Sequence, residues 1–154
     1  MRIAMGSDHA GYALKAFLVP IIEGWGHEVT DLGAYEGETG TDYPDYGLAV
    51  GEAVAGGEYD CGVLICGTGL GVSISANKVR GIRAALCHET YTARMARLHN
   101  DANVLCLGGR VLGTGVAADV VKAFLETPFS GVDRHQRRVD KIHAIERQSG
   151  QRDG

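Results

Sequence analysis

At 154 residues the chain is long enough for one well-buried core and too short for two. Its net charge of −4 is unevenly placed: residues 1–132 carry 9 basic and 15 acidic groups, residues 133–154 carry 6 and 4. The acidic body argues against non-specific nucleic-acid binding, which needs a basic face, and no apolar run approaches the roughly 20 residues that span a bilayer. In chain order, Met1–Gly6 reads as a first strand around Ile3–Met5, not as a charged leader. Leu14, Phe17, Leu18, Ile21 and Ile22 then fall at i, i+3, i+4, i+7 and i+8, the inner face of a helix. A strand is expected over Glu28–Leu32. Pro44 opens a helix carrying Leu48, Ala49 and Val54, closed by Gly56-Gly57. Cys61–Cys66 is an apolar strand, followed at once by the turn Gly67-Thr68-Gly69-Leu70-Gly71 and a helix-compatible stretch to Lys78. Ile82–Cys87 and Asn103–Leu107 are further strands, with a helical stretch from near Glu89 to His99-Asn100 between them. Val116, Val120, Val121, Phe124 and Leu125 repeat the helical spacing. A last helix over 132–148, with Val139, Ile142 and Ile145 apolar, precedes a tail, 149–154, expected to be disordered.

Alternating strands and helices with short links predict an α/β fold: residues 1–154 as a single three-layer α/β/α domain around a five-stranded parallel, Rossmann-like sheet. The final helix has so few apolar positions that it is a candidate for docking on a second subunit. Cys61, Cys66, Cys87 and Cys106 all lie in apolar runs, without the C-x-x-C spacing of a zinc site or the density of a disulfide scaffold. A reduced, cytoplasmic chain is the expectation.

In such a sheet ligands collect beyond the carboxyl ends of the strands. Asp8 and His9, Cys66 to Gly69, and Gly109-Arg110 follow strand ends, so Asp8, His9, Cys66, Thr68 and Arg110 can approach one cleft. Cys66 stands at the lip of a glycine turn that opens a helix, where backbone N–H groups favour a thiolate or an oxyanion. Cys61, Cys87 and Cys106 read as small buried hydrophobes. The turn is Gly-x-Gly-x-Gly, the wrong spacing for a dinucleotide site, although Glu89 does follow the next strand. His99 ends a helix, where a histidine serves either the helix dipole or catalysis. His27, His88, His135 and His143 read as surface or structural. Arg134 and Arg138 share a helix face about 6 Å apart and can clamp a phosphate; a solvated basic face, with Arg137 and Lys141, is the plainer reading. A metal site from Cys66, Cys87, His9 and His99 lacks the short ligand spacing of a dedicated site.

Taken together, the motifs resemble the B-type ribose-5-phosphate isomerases, in the family that also holds allose-6-phosphate and galactose-6-phosphate isomerases. They are G-S-D-H-A-G at 6–11, T-D-Y-P-D-Y at 41–46, I-C-G-T-G-L-G at 65–71, A-N-K at 76–78 and G-I-R-A at 81–84. H-N-D-A-N-V-L at 99–105, G-G-R at 108–110 and R-H-Q-R-R-V at 134–139 complete them. The resemblance implies strand order 2-1-3-5-4 and an aldose–ketose isomerase needing neither metal nor cofactor. It makes Cys66 the general base, with Thr68 beside it, His99 the ring opener, and Gly67, Thr68, Gly69, Leu70 and Gly71 the cradle for an enediolate. Asp8, His9, Asn100 and Arg110 match ligand-contacting positions, and Arg134 and Arg138 the phosphate clamp. It further implies a homodimer with shared active sites, alone or as a dimer of dimers, and no nucleic-acid or membrane partner. Some relatives use a glutamate in place of the cysteine; here Cys66 is present and position 75 is Ser75. Ribose 5-phosphate, a six-carbon phosphate such as allose 6-phosphate, or a rare free sugar all suit the motifs. A non-catalytic sugar-phosphate-binding protein and a nucleotide-dependent enzyme are the readings from other classes.

Overall fold

The element that organises the molecule is the strand β3 (Cys61–Cys66), in which all six residues are buried. A strand apolar on both faces belongs in the middle of a parallel sheet covered twice, and β3 lies there. The computed structural model describes residues 1–152. Its sheet also contains β1 (Arg2–Ser7), β2 (Glu28–Asp31), β4 (Ala84–Leu86) and β5 (Val104–Gly108). The order is β2-β1-β3-β5-β4, all parallel, as the resemblance implied. Registers Ser7↔Ile65 and Cys66↔Gly108 bring the ends of the three central strands level.

The helices are α1 (Tyr12–Gly24), α2 (Tyr43–Ala55), α3 (Leu70–Ala76), α4 (Thr90–Asn100), α5 (Thr114–Glu126) and α6 (Asp133–Arg152). On one face of the sheet, Leu14, Leu18 and Ile22 of α1 pack with Ala93 and Ala96 of α4 and Val120, Val121 and Phe124 of α5. On the other, Val50 and Val54 of α2 meet Val72 and Ala76 of α3. Truncating a fully buried strand leucine such as Leu64 or Leu105 to alanine would cost about 2–5 kcal/mol. Because α1 leaves β1 toward one face and α3 leaves β3 toward the other, a crevice opens between their starts.

The structure departs from the sequence reading in three places. Phe17 and Val116, expected on inner faces, are exposed. Lys15 takes a fully buried place on α1: its ammonium binds Asp31 Oδ1 and the Ala34 carbonyl (2.6 Å), with the Tyr12 and Tyr35 rings nearby. Such pairing is what makes a buried charge tolerable. The third departure is the terminal helix. It runs to Arg152, so residues 149–152, expected as part of a disordered tail, continue α6; no proline interrupts the run, and the Ser149 hydroxyl donates back to the Ile145 carbonyl at 3.1 Å. Residues 153–154 lie outside the described residues.

Candidate active site

Three strand ends are laced together around Cys66. The Asp8 N–H donates to the Ile65 carbonyl (3.2 Å), Gly109 N–H to the Cys66 carbonyl (2.8 Å) and Arg110 N–H to the Gly67 carbonyl (2.9 Å). The chain after Cys66 therefore has little freedom, and it turns through Gly69 at φ +77°, a conformation that strains any side chain. A Cβ at Gly69 would also lie 2.8 Å from the Leu107 carbonyl carbon. This turn aims the Gly69 N–H at Cys66 Sγ, 3.2 Å away. The Leu70 N–H meets Thr68 Oγ1 at 3.3 Å, and α3 begins, where the first N–H groups have no intrahelical acceptor.

The thiol is only 4% exposed, yet it lines a cleft of about 440 Å³. Of the residues expected at the site, Asp8, His9, Cys66, Gly67, Thr68, Leu70, Gly71 and Arg110 line this cleft together. Gly69 stands behind it through its bond to sulfur. Asp8 is buried, and its Oδ1 accepts from the Gly11 N–H (3.0 Å). Arg110 lies across Gly67 so closely that a Cβ there would sit 3.1 Å from Nη1. Burial pushes the Cys61 thiol up to about 12 and also raises those of Cys87 and Cys106. In all three, desolvation disfavours the thiolate, the form that reacts.

Three neighbours went unrecognised in the sequence. Tyr43 and Ile74 line the cleft, Tyr43 with its ring set so tightly on Gly71 that a Cβ would fall 2.7 Å from it. Thr41 holds His9 twice: its Oγ1 accepts from the His9 N–H at 2.7 Å and pairs with Nδ1 at 2.9 Å. Nε2 is thereby left for the cleft. Thr41 and Tyr43 belong to the T-D-Y-P-D-Y run, an unusually polar and aromatic stretch that ends the link from β2 and opens α2, and that run was the available signal.

His99, Asn100, Arg134 and Arg138 do not line this cleft. They form a second group where the end of α4 meets the start of α6. Glu89 opens α4 by accepting from the N–H groups of Tyr91 and Thr92 (2.7 Å to Thr92). The Thr92 hydroxyl first, and then these N–H groups, hold its carboxyl below the usual range. At the other end Asp101 pairs with Arg97 (2.9 Å) and Arg83 (3.3 Å). The ring of His99 stacks on that of His135, 4.2 Å between centroids and 12° between planes. His135, read as surface or structural, is thus buried against a candidate catalytic residue. Arg134 and Arg138 are exposed beside it. Asn100 faces a groove of about 830 Å³ bounded by α6, with Ile142 and Ile145 on its wall. That groove is the larger concavity, but it holds neither thiol nor glycine turn. The four-residue metal site weighed from sequence has no basis in the geometry: Cys87 packs in the core on the opposite face of the sheet from Cys66, and His99 stands outside the cleft.

Comparison with known proteins agrees over nearly the whole chain. The sequence-family model described as Ribose/Galactose Isomerase matches residues 3–142. Ribose-5-phosphate isomerase B of Escherichia coli (strain K12) is 51% identical over 145 residues, 94% of this chain and 96% of that protein. The structure of Clostridium thermocellum ribose-5-phosphate isomerase B superposes with a TM-score of 0.94 at 53% identity, covering 97% of this chain and 99% of that one. The Mycoplasma genitalium ribose-5-phosphate isomerase B, solved with bound ribulose-5-phosphate, gives 0.91 at 41% identity over 95% and 96% of the two chains.

Proposed function

This chain belongs to the ribose/galactose isomerase family, and we propose that it interconverts ribose 5-phosphate and ribulose 5-phosphate through an enediolate. The observation that carries the reading is the thiol of Cys66 set in the same cleft as a glycine turn, with the Gly69 N–H directed at its sulfur. Cys66 is the general base. As thiolate it removes the proton from C2 of the open-chain aldose, the C–H electron pair becomes the C1–C2 double bond, and negative charge moves onto O1. The proton on O2 passes to O1, the C1–C2 electron pair takes the carbon-bound proton back from Cys66 at C1, and C2–O becomes the carbonyl of the ketose, with the thiolate restored. Fixed donors of the turn, with the Thr68 hydroxyl, stabilise charge as it develops without having to reorganise. A free thiol near 8.5 is a workable base for such a proton.

His99 opens the furanose ring, and Arg134 and Arg138 clamp the phosphate, a remote handle whose binding energy positions the reacting carbons. These residues, with Asn100, stand on the α4–α6 face and not in the Cys66 cleft. Two chains therefore supply each site, the thiol half from one and the α4–α6 half from the other, in a homodimer or a dimer of dimers. Asp8, His9 and Arg110 complete the cleft side. The residues present supply base, oxyanion donors and phosphate clamp, so the reaction is proposed without metal or cofactor. Among the described residues no helix is long and apolar enough to cross a membrane, and a cytoplasmic location goes with the same reading.

The test is turnover of ribose 5-phosphate with and without a chelator, beside allose 6-phosphate and a nucleotide-binding titration. Ribose 5-phosphate turnover indifferent to the chelator is expected. Sugar-phosphate binding without turnover would make the protein a binding module, and a higher kcat/KM for allose 6-phosphate would move the substrate to six carbons.

A further inference from the structure

His135 has no task in the chemistry above, yet it is 5% exposed in the first turn of a helix whose neighbouring residues face solvent. Its flat ring lies against His99 and joins the last turn of α4 to the first turn of α6. The backbone beneath each ring is fixed: the His135 N–H donates to the Val132 carbonyl (2.9 Å), and Asp101, held by two arginines, ends α4 two residues after His99. The His99 ring itself is half-buried and turns about two side-chain bonds, so the surface it lies on decides where its nitrogens point.

We propose that His135 is a positioning residue for His99: its buried ring is the platform that sets the plane of the His99 imidazole and so the direction of its nitrogens. The proposal rests on the isomerase reading. A platform beside a proton-transfer group works best uncharged. The charged or titratable groups around His135 are His99 from α4 and Arg134 and Arg138 from α6. Burial, then His99, then the two guanidinium groups push its proton affinity below the usual histidine range. At neutral pH the platform therefore stays neutral, and a proton arriving at His99 meets no like charge in the ring below it.

The test replaces the platform with a flat ring that cannot protonate, His135→Phe, and with a side chain that is not flat, His135→Leu. Each is made in the wild-type and His99→Asn backgrounds. In the wild-type background His135→Leu should lower turnover of the cyclic aldose by up to about 100-fold, the scale of a misplaced reacting group. KM should stay within about threefold, and His135→Phe should recover most of the loss. Proton exchange into the open-chain ketose, which has no five-membered ring to open, should suffer less. In the His99→Asn background neither change should cost more, because a residue acting through His99 has nothing left to act on. Equal damage from Phe and Leu, or full additivity with His99→Asn, would overturn the proposal. If His135→Leu fails to melt cooperatively, the cycle with His135→Phe and His135→Tyr decides. An independent readout is the ring-current shift of His99 by proton NMR, which Leu should abolish and Phe retain. If the isomerase reading itself failed, wild type would show no turnover, and the NMR result would still decide whether His135 fixes the His99 ring.

Discussion

Cys66 ends a strand with no exposed residue, and its surroundings are backbone: three cross-strand hydrogen bonds, a left-handed glycine and an amide directed at sulfur. Arg134 and Arg138 project from α6, where His135 and Val139 are the buried residues among those described, and they meet solvent. One region holds its geometry through the sheet and the other through side chains on two helix ends. The contrast fits the proposed division of labour. A base and an oxyanion cradle must be placed to within a fraction of an ångström, which rigid elements provide. A phosphate clamp works through charge, tolerates flexible arms, and can be brought in by another chain.

The sharpest way to break this comparison is Cys66→Ala. Turnover should fall by about 100-fold or more, while calorimetric binding of the sugar phosphate stays within about threefold. Retention of more than about a tenth of wild-type turnover would remove the thiol as base. Mixing comes next. Cys66→Ala chains combined with Arg134→Ala/Arg138→Ala chains should regain about a quarter of wild-type activity after exchange, since half the dimers are then mixed and each has one intact site. No recovery after verified exchange would place both regions in one chain's site. A smaller effect separates the arginines: Arg138→Ala should weaken substrate binding by about 1.5–3 kcal/mol, the worth of a charge-assisted clamp. Arg137→Ala, on another face, should stay within about 0.5 kcal/mol. Equal losses would return α6 to a general basic surface.

The smallest effect concerns the support of α4. The Glu89 carboxyl is held below its ordinary range by the Thr92 hydroxyl, then by the Thr92 and Tyr91 N–H groups. A depressed carboxyl contributes stability above its unfolded value and loses it as pH falls through the folded one. Glu89→Ala should therefore melt lower than wild type at pH 7, and the gap should close on acidification below the normal carboxylate range. A gap that persists unchanged in acid would mean the cap is not electrostatic.

Most of the cleft was legible because parallel α/β sheets put ligands at strand ends, and strand ends are easily found where Val, Ile and Cys runs stop at glycine. Asp8, His9, Cys66 and Arg110 were reached that way. Thr41, on the link before α2, and Tyr43, the first residue of α2, escaped because they reach the site only through contacts made in three dimensions, Tyr43 on Gly71 and Thr41 on His9. His135 escaped for a related reason: its environment depends on which helix end lies opposite, and sequence spacing says nothing of that. Lys15 against Phe17 shows a hydrophobic pattern overridden, since a lysine with a carboxylate and a carbonyl waiting is a better occupant of that position than the helical pattern allows.

The Lys15–Asp31 pair also constrains how the sequence can change. Removing Asp31 alone strands the buried Lys15 ammonium, a loss of about 3–5 kcal/mol. Removing Lys15 alone costs less, because the Asp31 side chain is 35% exposed and water can reach it, whereas two well-packed apolar residues in their place can be neutral. Positions 15 and 31 are tied as a unit, so substitutions accumulating one at a time meet a barrier there. Divergence should pass around this pair, leaving the link from α1 to the end of β2 as one of the slower-changing joints of the chain.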